Sequence, residues 1–442
     1  MMLLAQAFRI TNPASVAFSG AGGKTTAIFQ LARLLHAAGG GAVIVTATTH
    51  LRADQIRLAD THWIAEKPEH LLGLEQCPPG VHLVTGPLDG DRTRGLDELS
   101  LQWLREISIR HGCSLLVEAD GSRQRPLKAP AEHEPPIPGF VENVVVVAGL
   151  SGLGKPLTGE FVHRPEGFAA LSGLAMDGII TPEALKVVLT HPAGGLKNIP
   201  AQARRLALLN QADTPELLSA GGKLAQTLLP VFDAVIVGSL HQAQFQTFEP
   251  AAGILLAAGG SSRFGQPKQL LDFHGQPFIR RVAATTLASG LSPVVVVTGA
   301  GAEQVGAAVR DLPVTIIHNA DWQNGQSSSL QAGLDELPRR TGAAIFLLAD
   351  QPQVPPMLLR ALVEQHGLAL APIVAPMVRG QRANPVLFDR VTFPDLHGLT
   401  GDIGGRAIFS RYPVTYLPWH DESLLLDVDT LADYNRIKDL EI

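Results

Sequence analysis

Cysteine is nearly absent from this chain: 442 residues hold only Cys77 and Cys113. Two such residues, without metal-ligand spacing, argue against a disulfide framework and fit a reducing cytosol. No apolar run approaches the roughly 20 residues that cross a bilayer. The opening MMLLAQAFRI lacks the charged start, long apolar stretch and cleavage site of a signal peptide. A cytoplasmic protein with no membrane partner is therefore expected. Dense Lys/Arg runs are also missing, and 35 Lys plus Arg stand against 41 Asp plus Glu, a formal charge of −6. That balance argues against a general nucleic-acid binder. Without low-complexity tracts, and with 45% hydrophobic residues, the chain reads as ordered and globular. Its length exceeds what one core usually serves, so two or three domains are expected.

What is present is glycine placed after strand-like runs. Ser15 to Ser19 is a strand candidate, GAGGKTT follows at Gly20 to Thr26, and Ile28 to Ala38 has helical spacing. Strand, glycine turn, Lys-Thr and helix make a P-loop arrangement, in which backbone amides cradle phosphates, the Lys reaches the β and γ oxygens and a Thr hydroxyl holds Mg²⁺. Gly20, Gly22, Gly23, Lys24, Thr25 and Thr26 are the expected phosphate-binding residues. Phe18 stands where the longer pattern has its first Gly, so only the shorter G-x-x-G-K-T-T form, resembling the Mur-ligase type, is met. Ala42 to Thr46 is a further strand candidate, ending in TATTH. Ser114 to Asp120, SLLVEAD, puts Glu118 and Asp120 at a strand tip, where a carboxylate beside a P-loop holds Mg²⁺ or orients water. Thr25, Glu118 and Asp120 are thus metal candidates. Glu132, His133 and Glu134 lie in a Pro-rich loop and read as packed or substrate-facing rather than as ligands. Val144 to Ala148 is another strand; GLGK at Gly152 to Lys155 is followed by Pro156, which opposes a second phosphate loop. Leu206 to Leu209 leads into NQAD, where Asn210 and Asp213 resemble the N-K-x-D base-recognition element of GTPases, with Gln211 in place of the Lys. ATP or GTP is the expected nucleotide.

GAGGKTT, VTATTHL, VEADGSRQRPLKAPAEHEP, GKPL with VHRPE, HPAGGLKNIP and LNQAD occur in one order over about residues 14 to 240. In this the first half resembles the selenium-dependent hydroxylase accessory family called YqeC. The resemblance implies a P-loop nucleotide-binding protein that assists maturation of molybdenum hydroxylases, with an apo-hydroxylase as partner.

After Ala234 to Gly238, the polar stretch His241 to Pro250 lacks periodicity, and domains are expected over 1–245 and 250–442. The second half alternates strands (Ile254 to Ala258, Val294 to Thr298, Val314 to Ile317, Ala344 to Leu348, Ile373 to Ala375) with helical segments at Phe278 to Leu287, Ala302 to Val309 and Ser328 to Leu337. That spacing predicts βαβ units and a mostly parallel sheet with helices on both faces. The first strand runs into ILLAAGGSSRFGQPKQLL at Ile254 to Leu271. Its glycines and hydroxyls form an anion-binding turn and Arg263 and Lys268 supply two cations, a combination suited to a polyphosphate. Asp350, at the tip of the strand in LADQP, is placed to hold Mg²⁺ on that phosphate. Leu424 to Asp429 reads as a strand carrying Asp427 and Asp429. Asp429 is either a second metal ligand or the cap of the next helix.

L-A-A-G-x-S-x-R-x-G-x-P-K is met in full from Leu256 to Lys268, and LADQP, NADWQNGQSSSL, NPVLF, LTGDIGGR and DVDT follow in order. Residues 252 to 442 resemble the MobA-like nucleotidyltransferases, and among them the molybdenum cofactor cytidylyltransferases. The resemblance implies nucleotide binding by Leu256, Ala257, Ala258, Gly259, Gly260, Ser261, Ser262, Arg263 and Lys268, catalysis by Arg263, Lys268 and Asp350, and metal binding by Asp350 and Asp429. Ala258 matches the cytidylyl branch, where the guanylyl branch has Gly. Ala383 before Asn384 departs from the family's usual Gly.

Two three-layer α/β/α domains are therefore expected, a P-loop NTPase-like one and a Rossmann-like (GT-A-like) nucleotidyltransferase. The expected reaction moves CMP from CTP to the terminal phosphate of molybdopterin, with Mg²⁺ and release of pyrophosphate. The alternatives are a sugar or polyol-phosphate nucleotidyltransferase and a non-catalytic, nucleotide-switched delivery scaffold.

Overall fold

The computed structural model describes residues 2–260 and 267–440, apart from the Glu75 side chain. The chain divides into two compact units, Met1–Phe248 and Glu249–Ile442.

In the first unit the sheet strands are β1 (Ser15–Gly20), β2 (Ala42–Ala47), β3 (Thr61–Ile64), β4 (Gly80–Thr85), β5 (Ser114–Glu118), β6 (Asn143–Gly149), β7 (Arg204–Asn210), β8 (Ala234–Ser239) and β9 (Gln244–Phe248). Their order is β9-β8-β7-β6-β1-β5-β2-β4-β3. Every pairing is parallel except β8 with β9. Strands such as AVIVTA and AVIVGS are buried throughout, as expected where helices cover both faces of a parallel sheet. β1 lies centrally, so its carboxyl end, where the glycine loop begins, opens between β6 and β5.

Helix α1 (Lys24–Gly39) starts four residues earlier than its apolar periodicity indicates. Ile28, Leu31, Ala32 and Leu35 form its buried stripe, while its first turn belongs to the glycine loop. There the opening amides lack intrahelical acceptors and face out of the helix end.

Two features depart from the sequence reading. Residues 244–248, inside the aperiodic polar stretch, form β9. An edge strand needs little apolar content, and β9 is anchored by Thr247, whose hydroxyl donates to the Ala7 carbonyl (3.1 Å). The two cysteines, far apart in sequence, meet with their sulfurs 3.2 Å apart.

The second unit contains β10 (Ala251–Ala257), β11 (Val294–Thr298), β12 (Thr315–His318), β13 (Ala343–Leu348), β14 (Ile373–Val378), β15 (Gln381–Arg382), β16 (Val386–Asp389) and β17 (Val414–Pro418). The order is β12-β11-β10-β13-β16-β14-β15, with β17 paired to β14. From β12 to β13 the sheet is parallel, while β16 is antiparallel to both β13 and β14. The connection from β14 back to β16 is too short for a crossover helix, so the return must be antiparallel. Helices α2 (Phe278–Ala288) and α3 (Gln326–Asp335) pack on β10 and β11, while α4 (Leu431–Lys438) joins a small separate cluster through Ile437 with Phe273 and Phe278.

Leu424 to Asp429 is not a strand. Glu422–Leu425 is a 3₁₀ turn and the following residues are irregular. Val428 is buried while Asp427 and Asp429 are exposed, so the alternation that resembled a strand comes from one apolar anchor between two solvated acids. Both units are thus α/β. Among the described residues no helix is long and apolar enough to cross a membrane.

Candidate functional sites

In the first unit a cavity of about 1090 Å³ opens at the carboxyl ends of the central strands. It is lined by Gly22 to Thr26, by Thr48 to Arg52 after β2, by Glu118 at the end of β5, and by the loops carrying Arg123, His133, Glu134, His163 and Arg164. The glycine loop is held from below. Gly20 donates its amide to Asp120 (3.1 Å), and Lys24 donates to the Gly20 carbonyl (2.6 Å) while lying 3.3 Å from Asp120. Asn210 donates to the Gly22 carbonyl (2.6 Å) and accepts from the Leu240 amide (3.0 Å), tying the loop to β7 and to the end of β8. The Thr25 hydroxyl donates to Glu118 (2.8 Å). Burial pushes the Glu118 carboxyl above the ordinary range, with Lys24 and Thr25 opposing.

The sequence candidates are therefore separated. Gly22, Gly23, Lys24, Thr25, Thr26 and Glu118 line the cavity, and Asn210 braces the loop. Asp120 and Asp213 do not line it. Asp120 is buried between two ammonium groups, Lys24 and Lys128 (2.7 Å), and Asp213 is exposed. From Lys128 the charges continue to Glu134 (2.8 Å) and from Glu134 to Arg164 (2.6 Å). Burial alone would raise the Glu134 carboxyl, but the hydrogen bonds from Arg164 and Lys128 hold it down at about 2.

In the second unit a cavity of about 590 Å³ is lined by Leu256, Ala258 to Gly260, Lys268, Gln269, Trp322 to Gln326, Asp350 and Asp402. Gln269 pins the glycine turn, donating to the carbonyls of Ala257 (3.2 Å) and Gly259 (2.7 Å). Asp402 accepts from the Gln326 amide (3.2 Å) at the start of α3. Gly299 has no room for a side chain, since a Cβ there would lie 2.7 Å from the Trp322 ring carbon Cγ and 2.8 Å from Ala258 Cβ. Asp350 follows β13, the neighbour of β10, and so lies beside the glycine turn. Burial pushes its carboxyl up, Lys268 opposes this, and Asp427 and Asp429 add to it. Asp429 accepts from Lys268 Nζ (2.8 Å). It does not cap α4: Thr430 does, in a capping box with Asp433. Ser261, Ser262 and Arg263 lie outside the described residues. Among those described, no three acidic, His or Cys side chains converge as a metal cage. Asp350 fits Mg²⁺ in the manner of sites where one or two carboxylates and substrate phosphates share the ion.

The chain matches the YqeC protein family over residues 16–166 and the MobA-like NTP transferase domain family over residues 253–416. Uncharacterized protein YqeC of Escherichia coli (strain K12) is 34% identical over 226 residues, 49% of this chain and 83% of that protein. Nicotine blue oxidoreductase of Paenarthrobacter nicotinovorans is 32% identical over 195 residues, 42% of this chain and 95% of that protein. The chain belongs to the YqeC and MobA-like NTP transferase families. Purine catabolism protein PucB of Bacillus subtilis (strain 168), 32% identical over 199 residues, 42% of this chain and 95% of that protein, is also similar to the second half. The MobA-like domain makes the protein a nucleotidyltransferase.

Sequence reasoning missed Gln269 in the transferase domain, although it directly follows Lys268 in PKQLL. It also missed His163, Arg164, Arg52 and Arg123 as cavity residues of the YqeC domain. VHRPE was the available signal, but only the fold carries it to the glycine loop.

His163 is expected to make the YqeC domain acid-sensitive. Burial first, then the charges of Arg164, Lys128 and Arg123, lower it to about 4 from 6.5, against the opposite pull of Glu134. The unfolded chain therefore binds the proton first as pH falls, and stability is lost from about pH 6.5 down to about 4. The wild-type melting temperature is expected to drop more steeply across that window than that of His163→Gln. Equal slopes would remove His163 from the cause.

Proposed function

We propose that the transferase domain moves CMP from CTP to the terminal phosphate of molybdopterin. The observation that carries this reading is the cavity itself, where the glycine turn, Lys268 and Asp350 meet at the carboxyl ends of adjacent parallel strands, β10 and β13. Such transfer needs positioning and charge neutralisation more than an enzymic nucleophile. A phosphate oxygen of the acceptor attacks the α-phosphorus of CTP, the α–β bridging bond breaks, and pyrophosphate leaves. The attacking oxygen is already anionic, so no general base is required. Lys268 supports charge on the α-phosphate, and Arg263, five positions before Lys268 in the sequence, is assigned to the leaving pyrophosphate. Asp350 is the side chain that would hold Mg²⁺, whose contribution is to neutralise phosphate charge. Ala258, which lines the cavity, supports CTP, because it matches the cytidylyl branch where the guanylyl branch has Gly.

For the YqeC domain the reading is nucleoside triphosphate binding, ATP or GTP, at Gly20 to Thr26, in support of molybdenum hydroxylase maturation, with an apo-hydroxylase as partner. The buried Lys24 beneath the loop and the Thr25–Glu118 pair support it, Thr25 and Glu118 being the groups that would hold Mg²⁺.

The test is a panel of the four ribonucleoside triphosphates on the full chain with molybdopterin, scoring pyrophosphate release. CTP is expected to exceed GTP by at least about tenfold, the usual scale of one steric discrimination in a pocket. Equal turnover with a sugar 1-phosphate as acceptor would move the assignment to the sugar-phosphate transferases. Any hydrolysis of ATP or GTP should vanish in Lys24→Ala while CTP-dependent release persists.

A further inference from the structure

The cavity of the YqeC domain is larger and more cationic than one triphosphate requires. Its volume of about 1090 Å³ exceeds the roughly 300–1,000 Å³ of ordinary small-molecule sites. Six cations line it, Lys24, Arg52, Arg92, Arg123, Arg125 and Arg164, against the carboxylates Glu118 and Glu134. Arg52 and Arg92 are paired with Asp54 (3.0 Å) and Asp91 (3.9 Å). Arg123 and Arg125 make no ion pair among the described residues.

Arg164 is a built group rather than a loose surface charge. It forks onto Glu134 through Nη1 (2.6 Å) and Nη2 (3.1 Å). Glu134 is buried and held in turn by Lys128, so a line of alternating charges, Lys24–Asp120–Lys128–Glu134–Arg164, runs from the glycine loop to this guanidinium. That line leaves Arg164 Nε–H without a partner among the described residues, on a side chain one-third exposed to the cavity.

The backbone gives an independent sign. Arg123 (φ 49°), Gln124 (φ 61°), Arg164 (φ 63°) and Gln211 (φ 62°) all take the left-handed conformation and all line this one cavity. Non-glycine residues also take this conformation at helix ends, as at Arg9 and Cys77, but four around one cavity are the kind of grouping found at ligand clamps.

We propose that this cavity holds two anions together: a nucleoside triphosphate at Gly22 to Thr26 and a second, phosphate-bearing small molecule gripped by Arg123 and Arg164. The inference rests on the reading that the glycine loop binds a nucleoside triphosphate. Arg123 brings a charge with no ion pair among the described residues and Arg164 brings its open Nε–H edge, and such planar guanidinium edges bind phosphate oxygens in pairs.

The test uses the full chain saturated with Mg²⁺ and the non-hydrolysable ATP analogue AMP-PNP, titrated with inorganic phosphate in a calorimeter. One saturable phosphate step is expected. It should weaken by about tenfold or more in Arg123→Ala and in Arg164→Lys, while AMP-PNP affinity in both variants stays within about threefold of wild type. Arg123 is exposed, so its variant keeps the experiment readable if Arg164→Lys folds poorly. No saturable phosphate step, or one indifferent to both substitutions, would overturn the second site and leave nucleotide binding standing. AMP-PNP binding unchanged in Lys24→Ala would overturn both.

Discussion

Asp350→Asn is expected to lower CTP-dependent pyrophosphate release by about 10²–10³-fold, the scale of removing one preorganised charge-stabilising group from a site of group transfer. The substitution keeps the side chain's shape, and it removes a carboxylate that burial and the neighbouring Asp427 and Asp429 already disfavour. Burial and the two acids outweigh the attraction of Lys268 for this charge, so in metal-free buffer the variant should melt at or above the wild-type temperature. Loss of turnover together with retained or raised stability is the signature of a group kept for chemistry at some expense to the fold. Steady-state pyrophosphate assay and calorimetry on the same preparation check both halves. A variant with full turnover would sink the assignment of Asp350, and a variant that melts well below wild type would make its role structural.

Gly20→Ala should be among the most damaging small substitutions in the first unit. Gly20 ends β1 at φ +95°, and a Cβ there would lie 2.2 Å from the Val147 carbonyl oxygen on β6, the strand paired with it. That obstacle is backbone inside a parallel ladder, so no rotamer change relieves it. A strained φ costs about 1–3 kcal/mol and overpacking a similar amount, so a loss of about 3 kcal/mol or more is expected. For a unit of this size each kcal/mol shifts melting by about 2–4 °C, which predicts a fall of about 6–12 °C. The loop's hold on Asp120 through the Gly20 amide (3.1 Å) would loosen as well. Scanning calorimetry reads the shift, and AMP-PNP titration reads the accompanying loss of affinity. Melting within about 2 °C of wild type would mean that β1 and β6 separate at little cost.

Much of this is legible in the sequence. GAGGKTT and LAAGGSSRFGQPK are contiguous, and their glycines, hydroxyls and cations imply a turn and an anion whatever surrounds them. The α/β class followed from apolar strands alternating with helical spacing, and Asp350 from its place at a strand tip. Local signals failed where burial or pairing is decided elsewhere. The polar residues 244–248 became an edge strand because β8 offered a free ladder, and Leu424 to Asp429 formed no strand although two acids flanked an apolar residue.

The sequence by itself determined the family, the two glycine loops and the chemistry they favour, because those depend on adjacent residues and on backbone freedom. Only the tertiary structure decided which charges meet. Asp120 and Glu118, two positions apart, part ways: one is locked between Lys24 and Lys128, the other reaches Thr25 at the cavity. Asp429 pairs with Lys268 across 161 positions, and Arg164, braced by Glu134, reaches the glycine loop's cavity. Ion pairs of this kind are set by the order of strands in the sheet. That order arises from the burial of many apolar side chains together, so no short stretch of the chain carries it.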